Sequence, residues 1–248
     1  MSIKLYEGDC LNYLPEIPSE SIDLILADLP YGTTDNSWDK IIPMEPLWEQ
    51  YKRIIKDHGA ILLFGQEPFS SHLRLSAPKS IKFRYDWIYE KSNPVGFFNA
   101  NKIPLRAHEV VSVFYKHLPT YNPQFTKGKP YVSTQHGPTT NYHTATKRIT
   151  TVNTGKRYPR DVLHINNCNR TKIYHPTQKP LELIKYMVKT YTNEGDTVLD
   201  NVMGSGQTGV ACQELNRSFI GMEKEHKYFE IAKNRIKSAG KETRICKQ

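Results

Sequence analysis

Short apolar runs alternate with amphipathic stretches over most of this 248-residue chain. Ile22–Ala27 and Ala60–Phe64 are almost wholly apolar, as expected of strands covered on both faces. Lys82–Glu90 and His108–Tyr115 alternate apolar and polar side chains, which predicts strands near the open side of a sheet. Seven strands are predicted in all: Ser2–Glu7, Ile22–Ala27, Ala60–Phe64, Lys82–Glu90, His108–Tyr115, Thr197–Asp200 and Ser218–Met222.

Between these strands, apolar residues recur at helical spacing. Leu47, Tyr51 and Ile54, for example, recur three to four residues apart and would share one helix face. The predicted helices are Cys10–Leu14, Pro46–Lys56, Pro68–Ser76, Leu181–Tyr191, Gly209–Leu215 and Tyr228–Ile236. Strands interleaved with helices predict a doubly wound, Rossmann-like α/β fold with a seven-stranded, mostly parallel sheet.

Residues 119–172 interrupt this rhythm. They are rich in Thr, Asn, Pro, Tyr and basic residues and carry few apolar positions at any period. A segment of this length without clear elements is usually a functional loop, a lid or a small insertion. The chain therefore divides into three parts, 1–118, 119–172 and 173–248.

Charge singles out the same segment. The chain has 34 Lys and Arg against 25 Asp and Glu, a net charge of +9. Residues 119–172 hold nine basic residues and one acid, so +8 of that charge lies there. A localised basic segment predicts a polyanionic partner, although a solvated basic loop without a partner has the same composition. The residues expected to contact such a partner are Lys127, Lys129, Lys147, Arg148, Lys156 and Arg157.

Cysteine and histidine spacing gives no sign of a metal site. The four cysteines form no CxxC pair, and the nine histidines form no HExxH motif. The first ten residues lack the basic-then-apolar pattern of a signal peptide, and no apolar run is long enough to span a membrane. We therefore expect a cytoplasmic protein with no membrane partner.

One strand end carries candidate chemistry. Ile22–Ala27 stops at Asp28-Leu29-Pro30-Tyr31, which brings together a carboxylate, a carbonyl directed by the following proline, and an aromatic face. Two acceptors and a ring could hold a planar heterocycle that bears an amino group. A strand followed by a simple proline turn, with Tyr31 packed for stability, is the alternative.

A second strand end resembles a nucleotide site. Thr197–Asp200 runs into a loop with Gly204, Gly206 and Gly209 that opens a helix, and the next strand leads to Glu223. Glycines bring backbone amides close to a ligand, and an acid at this position suits ribose hydroxyls. The same pattern fits GxGxxG, so a nicotinamide dinucleotide is an alternative, as are glycines that only permit close helix–strand packing.

Taken together, the chain resembles the S-adenosylmethionine-dependent DNA amino-methyltransferases of the β arrangement. In these enzymes a catalytic half (here 1–118) precedes a target-recognition insertion (119–172) and a cofactor-binding half (173–248). The motifs that carry the resemblance are Gly8-Asp9-Cys10, Asp28–Tyr31, Trp38-Asp39, His108-Glu109, His175–Pro180, Asp200 with Gly204-Ser205-Gly206, and Glu223.

The resemblance implies a role for each matching position. Asp28 and the Leu29 carbonyl would accept hydrogen bonds from the amine of a base flipped out of double-stranded DNA, with Pro30 fixing the turn and Tyr31 stacking on the base. The implied S-adenosylmethionine site comprises Asp9 at the adenine, Glu223 at the ribose, Gly204, Ser205 and Gly206 at the methionine part, Thr177 and Lys179 at its carboxylate, and Asp200 at the base of the loop.

Two positions depart from the family pattern. Leu29 replaces the usual proline, which leaves the required carbonyl in place. Asn201-Val202-Met203 lacks the common phenylalanine, which would loosen one wall of the cofactor pocket.

Asp at the first motif position favours adenine as the target, with the cytosine amine as the alternative. Protein glutamine methyltransferases, a nicotinamide-dependent oxidoreductase and a catalytically silent nucleic-acid-binding module are more remote. The sequence leaves open the DNA target, a homodimer and a cognate restriction endonuclease.

Overall fold

The computed structural model of the protein describes residues 1–36, 39–135, 149–167 and 174–245. Two compact units are distinguished. One comprises Met1–Asn122 and Asp161–Gln248, and the other comprises Pro123–Arg160. Among the described residues, no helix is both long and apolar enough to cross a membrane.

The described residues form twelve strands, and the eight of these in the larger unit make one sheet. The strands are β1 Ile3–Glu7, β2 Ile22–Ala27, β3 Ile55–Gly65, β4 Lys82–Val95, β5 Arg106–Tyr115, β6 Thr126–Lys127, β7 Tyr131–Gln135, β8 Ile149–Asn153, β9 Lys156–Arg157, β10 Val162–Ile165, β11 Thr197–Asp200 and β12 Ser218–Glu223. The large sheet has the order β1-β12-β11-β2-β3-β5-β4-β10, and β5 alone among its strands runs antiparallel to its neighbours.

Helices cover both faces of this sheet. They are α1 Cys10–Tyr13, α2 Met44–Ile54, α3 Phe69–Ser76, α4 Leu181–Tyr191, α5 Gln207–Glu214 and α6 His226–Ile245. Successive residues of β2 point to opposite faces: Leu24 and Leu26 join the core under α4, α5 and α6, whereas Ile25 and Ala27 join the core under α1, α2 and α3. Burial on both faces is the reason that β2 is so uniformly apolar.

The α/β fold and all seven predicted strands of the large sheet are confirmed, but the sheet has an eighth strand. β10 pairs in parallel with β4 and lies within the segment that was predicted to lack clear elements. Only Leu163 and Ile165 of this strand are half-buried, so four residues gave too short an alternation to be recognised. The second helix was also predicted too long, because β3 begins at Ile55 and runs through Gly59.

The described part of the smaller unit contains two short antiparallel strand pairs. Thr126 and Lys127 pair with Arg157 and Lys156, and β7 pairs with β8 along five residues. This unit, Pro123–Arg160, is shorter at both ends than the predicted insertion 119–172.

Parallel strands bring the chemistry to one edge of the sheet. β1, β12, β11 and β2 are successive neighbours, so the residues that follow their carboxyl ends meet at the same edge. β5 runs the other way and therefore begins at this edge, since Val110 near its start pairs with Gly65 at the end of β3.

Close packing explains one glycine of the 204–209 loop. Gly206 has φ +81°, a left-handed conformation, and a Cβ placed there would lie 2.9 Å from Cβ and 3.0 Å from Cα of Ala232 on α6. Both the backbone conformation and the space require glycine.

We expect Gly206→Ala to lower the free energy of unfolding by about 3 kcal/mol, because backbone strain and overpacking add. Urea denaturation with an unchanged m-value measures this loss. Gly195→Ala is the matched control, because Gly195 also has positive φ (+90°) but no atom lies within 4 Å of its added Cβ. That variant should lose only about 1 kcal/mol from strain. Equal losses in the two variants would exclude close packing at Gly206.

Candidate active site

A cavity of ≈ 1180 Å³ lies at the carboxyl edge of the large sheet. The tip of β2 and the glycine loop after β11 both open into it, together with the segment before α4. The predicted catalytic and cofactor residues that line it are Asp9, Asp28, Leu29, Pro30, Tyr31, Thr177, Lys179, Asp200, Gly204, Ser205 and Glu223. Gly206 was predicted with them, but it faces Ala232 instead.

Tyr31 is held by two contacts at the tip of β2. Its hydroxyl donates a hydrogen bond to Oδ1 of Asp28 at 2.7 Å, and its ring stacks on Phe69 with centroids 4.9 Å apart. Burial raises the pKa of Tyr31 well above its ordinary value, and the negative charge of Asp28 adds to the effect. Tyr31 therefore stays a neutral hydrogen-bond donor.

The turn that follows Tyr31 is built around Asp39. Its carboxylate accepts hydrogen bonds from the backbone amides of Gly32, Thr33 and Thr34, at 2.7–2.9 Å, and from the Thr34 hydroxyl at 2.8 Å. Burial opposes ionisation, but these hydrogen bonds prevail and lower the pKa of Asp39. An ionised Asp39 thus fixes the loop on one side of the cavity.

Four half-buried charged side chains form a continuous chain, which we call the ion-pair chain. Lys179 Nζ lies 2.9 Å from Oδ2 of Asp28 and 2.8 Å from Oε2 of Glu109, and Lys91 Nζ lies 2.5 Å from Oε1 of Glu109. The Lys179 side chain is 11% exposed and that of Asp28 is 24% exposed. Two cations alternate with two anions, so the chain is neutral overall.

Pairing decides the ionisation state of these groups. Burial would raise the pKa of Glu109, but Lys179 and Lys91 hold it at about 2. Burial likewise opposes the charge on Lys179, but Asp28 and Glu109 raise its pKa above the ordinary value. At Asp28 burial is the larger effect and raises the pKa, while Lys179 acts in the opposite direction.

Glu109 and Lys91 were not predicted as site residues, although the strand patterns contain the signal. Glu109 alternates with the buried Val111 and Val113 on one face of β5. Lys91 alternates in the same way with buried Tyr89 on β4. A charged residue on a buried strand face must find a partner, so each position indicated an ion pair.

Two acidic side chains hold the glycine loop in place by hydrogen bonds. Asp200 accepts from the Thr208 hydroxyl at 2.6 Å and from the Val202 amide at 3.2 Å, and burial raises its pKa to about 7. Glu223 accepts from the amides of Gly204 and Glu225, both at 2.8 Å. Burial raises the pKa of Glu223 as well.

The segment before α4 is attached to this loop. The Ser205 hydroxyl donates a hydrogen bond to the side-chain oxygen of Gln178 at 3.1 Å. The side-chain amide of Gln207 donates one to the Lys179 backbone carbonyl at 2.8 Å. Thr177 lies beside His175, whose pKa falls to about 4 because of burial and the nearby Lys179 charge. Neutral His175 and Thr177 thus line the cavity next to the glycine loop.

Two predicted cofactor contacts have other partners here. Lys179 was expected near the cofactor carboxylate, and its ammonium group instead binds Asp28 and Glu109. Asp9 caps α1 by accepting from the Leu11 amide at 3.0 Å. Asp9 is half-exposed on the cavity wall, whereas the ammonium group of Lys179 is paired within the ion-pair chain.

Four of the six predicted polyanion-binding residues are described by the structure, and all four lie in the smaller unit. Lys127, Lys129 and Lys156 are exposed, and the Lys156 ammonium lies 3.7 Å above the ring of Phe125. Arg157 differs, because its guanidinium hydrogen-bonds Asn153 and the carbonyl of Lys129 within the unit. Lys147 and Arg148 lie outside the described residues.

Comparison with known proteins identifies the family. Residues 22–234 match the N6/N4 methyltransferase family, described as DNA methylase. The chain is 28% identical over 251 residues to the type II methyltransferase M.HpaI of Haemophilus parainfluenzae, covering 96% of this chain and 75% of that protein. It is 30% identical over 264 residues to the type II methyltransferase M.HinfI of Haemophilus influenzae, covering 94% and 68%. The chain therefore belongs to the DNA methylase family of N6/N4 amino-methyltransferases.

Solved structures share the fold. The M1.HpyAVI–SAM complex superposes with a TM-score of 0.65 at 24% identity, covering 94% of this chain and 98% of that one. The cytosine-N4-specific PvuII DNA methyltransferase superposes with a TM-score of 0.67 at 16% identity, covering 98% and 93%.

The ion-pair chain predicts opposite effects of two substitutions on Asp28. Lys179→Met removes the neighbouring cation and should raise the pKa of Asp28 further, whereas Glu109→Gln removes a neighbouring anion and should lower it. NMR titration of protein labelled with ¹³C at the aspartate carboxyl groups measures both shifts. Lys179→Arg keeps the charge and serves as the control. Shifts of the same sign in the first two variants would contradict direct charge coupling.

Proposed function

We propose that the protein transfers a methyl group from S-adenosylmethionine to the exocyclic amine of an adenine flipped out of double-stranded DNA. The observation that carries this proposal is the shared cavity. Asp28–Tyr31, the residues suited to an amine on a ring, and Gly204 with Glu223, suited to a nucleoside, line the same space. The proposal agrees with membership of the DNA methylase family.

The residues around the glycine loop suit S-adenosylmethionine. Gly204 lines the cavity without a side chain, so a ligand can approach the backbone of the loop closely there. Glu223 offers carboxylate oxygens for ribose hydroxyls, and Asp9 offers an acceptor for an adenine amine. When bound, the cofactor supplies an electrophilic methyl group on a sulfonium. Thr177 and the backbone near Gly204 would face its methionine part.

Asp28 and Leu29 would activate the target amine. The lone pair of an exocyclic amine is delocalised into the ring, so the group is a poor nucleophile. Hydrogen bonds from its two N–H groups to the Asp28 carboxylate and the Leu29 carbonyl would favour a pyramidal nitrogen. The lone pair would then be localised on the nitrogen. Positioning supplies most of the remaining help, and no covalent intermediate on the protein is needed.

Tyr31 would receive the base. Extruding a base from a duplex costs a few kcal/mol, and stacking on an aromatic ring returns about 1–3 kcal/mol. Phe69 holds the Tyr31 ring from one side, which keeps it in place before a base arrives.

Adenine is favoured over cytosine because the first motif residue is Asp28, whereas cytosine-N4 enzymes more often carry Ser there. Incubation with plasmid DNA and cofactor labelled in its methyl group, followed by digestion to nucleosides, decides between them. We expect label in N6-methyl-2′-deoxyadenosine. Label in N4-methyl-2′-deoxycytidine would favour the alternative, and no label in either would overturn the proposed function.

Double-stranded DNA is the proposed partner of the smaller unit, through exposed Lys127, Lys129 and Lys156. We also propose that methylation protects DNA from a cognate restriction endonuclease, in keeping with type II relatives. A homodimer is compatible with this role.

Asp28→Ala should lower the rate of methyl transfer by about 10²- to 10³-fold, the range for losing one preorganised hydrogen-bonding group. Calorimetry should show cofactor binding retained, because Glu223 and the glycine loop are untouched. Asp57→Ala is the control, since this exposed aspartate lies at the start of β3, away from the cavity edge. Transfer at near wild-type rate would remove Asp28 from the reaction.

Replacing Lys127, Lys129 and Lys156 together by Gln should reduce the slope of log Kd against log salt by up to about three, close to one per phosphate contact. Fluorescence anisotropy of a labelled duplex between about 50 and 200 mM salt measures the slope. The control replaces three exposed lysines of the larger unit, Lys4, Lys52 and Lys79, with the same change in net charge. Equal slopes in the two triple variants would argue against DNA contact by these residues.

A further inference from the structure

The connection between β4 and β5 carries an exposed aromatic tip. Phe98 is fully exposed, Phe97 is 65% exposed and Ile103 is 54% exposed. Single apolar residues on a surface are ordinary, but three together on one short loop indicate an interaction surface.

The tip is an ordered element. Gly96 adopts φ +98° and leads into a 3₁₀ turn at Phe97–Asn99. Backbone hydrogen bonds at 2.9–3.1 Å join Gly96 to Asn99, Phe97 to Ala100, and Asn99 to both Lys102 and Ile103. The two phenylalanine rings are thus presented to solvent on a folded turn.

The tip lies at the rim of the cavity. The last pair of the β4–β5 ladder joins Val95 to Arg106, and both residues line the cavity. Residues 96–105 extend beyond this pair. Ser92 and Asn93, just before it, also line the cavity. The tip is therefore directly connected to the part of the cavity wall that these residues form.

Charge favours DNA over a second copy of the chain as the occupant. Between residues 92 and 106 the charged residues are Lys102 and Arg106, with no Asp or Glu. Two such loops would repel one another, whereas phosphates would attract them. Phenylalanine and isoleucine are also side chains that proteins insert between base steps.

We propose that the Phe97–Phe98 tip enters the DNA beside the target and stacks in the space that the flipped base leaves. This inference rests on the proposed function, because it requires a base to leave the duplex. The tip stabilises the opened duplex, while Tyr31 and Asp28 hold the extruded base. It acts on base extrusion and makes no contact with the reacting atoms.

The test compares two synthetic duplexes that carry a sequence methylated in plasmid DNA. One is fully paired, and the other has an abasic site opposite the target base, which removes its pairing partner. Phe98→Ala should lower kcat/KM on the paired duplex by about ten- to a hundredfold, as expected for the loss of aromatic stacking. It should act at near wild-type rate on the abasic duplex, and Phe98→Trp should retain activity on both.

Leu118→Ala is the matched control, because Leu118 is a 73% exposed apolar residue just beyond the other end of β5. It should behave as wild type on both duplexes. Equal activity of Phe98→Ala and wild type on the paired duplex would overturn the inference, and so would an equal loss on both duplexes. A change in sedimentation of Phe98→Ala without loss on the paired duplex would assign the tip to a second copy and also overturn it. Failure of the wild type on every duplex would overturn the proposed function itself.

Discussion

The geometry of the site depends on the pairing of buried charge. Asp28 directly follows β2 and lines the cavity, where burial raises the pKa of its carboxyl group. The positive charge of Lys179 opposes this effect. Lys179 itself stays charged at a half-buried position because Glu109 also forms an ion pair with it. Lys91 completes the balance on the far side of Glu109. Removing one of these four side chains leaves a neighbouring charge unpaired where water solvates it poorly. The four residues therefore act as a unit.

The sheet topology brings these groups together from distant parts of the sequence. β2 supplies Asp28, the hairpin β4–β5 supplies Lys91 and Glu109, and the segment before α4 supplies Lys179. Parallel strands alone would direct all their carboxyl ends to one edge, and the reversed β5 adds its first residues to that edge. The proposed catalytic and cofactor residues therefore share a cavity although Asp28 and Glu223 lie 195 residues apart along the chain.

Local pattern in the sequence predicted the α/β fold, and all but one of the predicted catalytic and cofactor residues line the cavity. It succeeded at β2 and β11, where a mostly apolar strand leads into a polar or glycine-rich motif. It failed where a residue's role depends on a distant partner. Lys179 follows a loop and precedes a helix, and nothing near it in sequence indicates that its partners are Asp28 and Glu109. Gly206 was grouped with a ligand-binding loop, whereas contact with Ala232, 26 residues further on, explains why glycine is required.

The β4–β5 hairpin contains an irregularity that shapes the cavity wall. The pair Glu90–His108 is followed in the ladder by Val95–Arg106, so four residues of β4 lie opposite a single residue of β5. In a regular strand, successive residues point to opposite faces, and only every second one could reach a cavity on one side. Here Lys91, Ser92 and Asn93 line the cavity in succession. The register shift therefore lets one strand supply a charged group of the ion-pair chain and two neutral polar groups to the same wall.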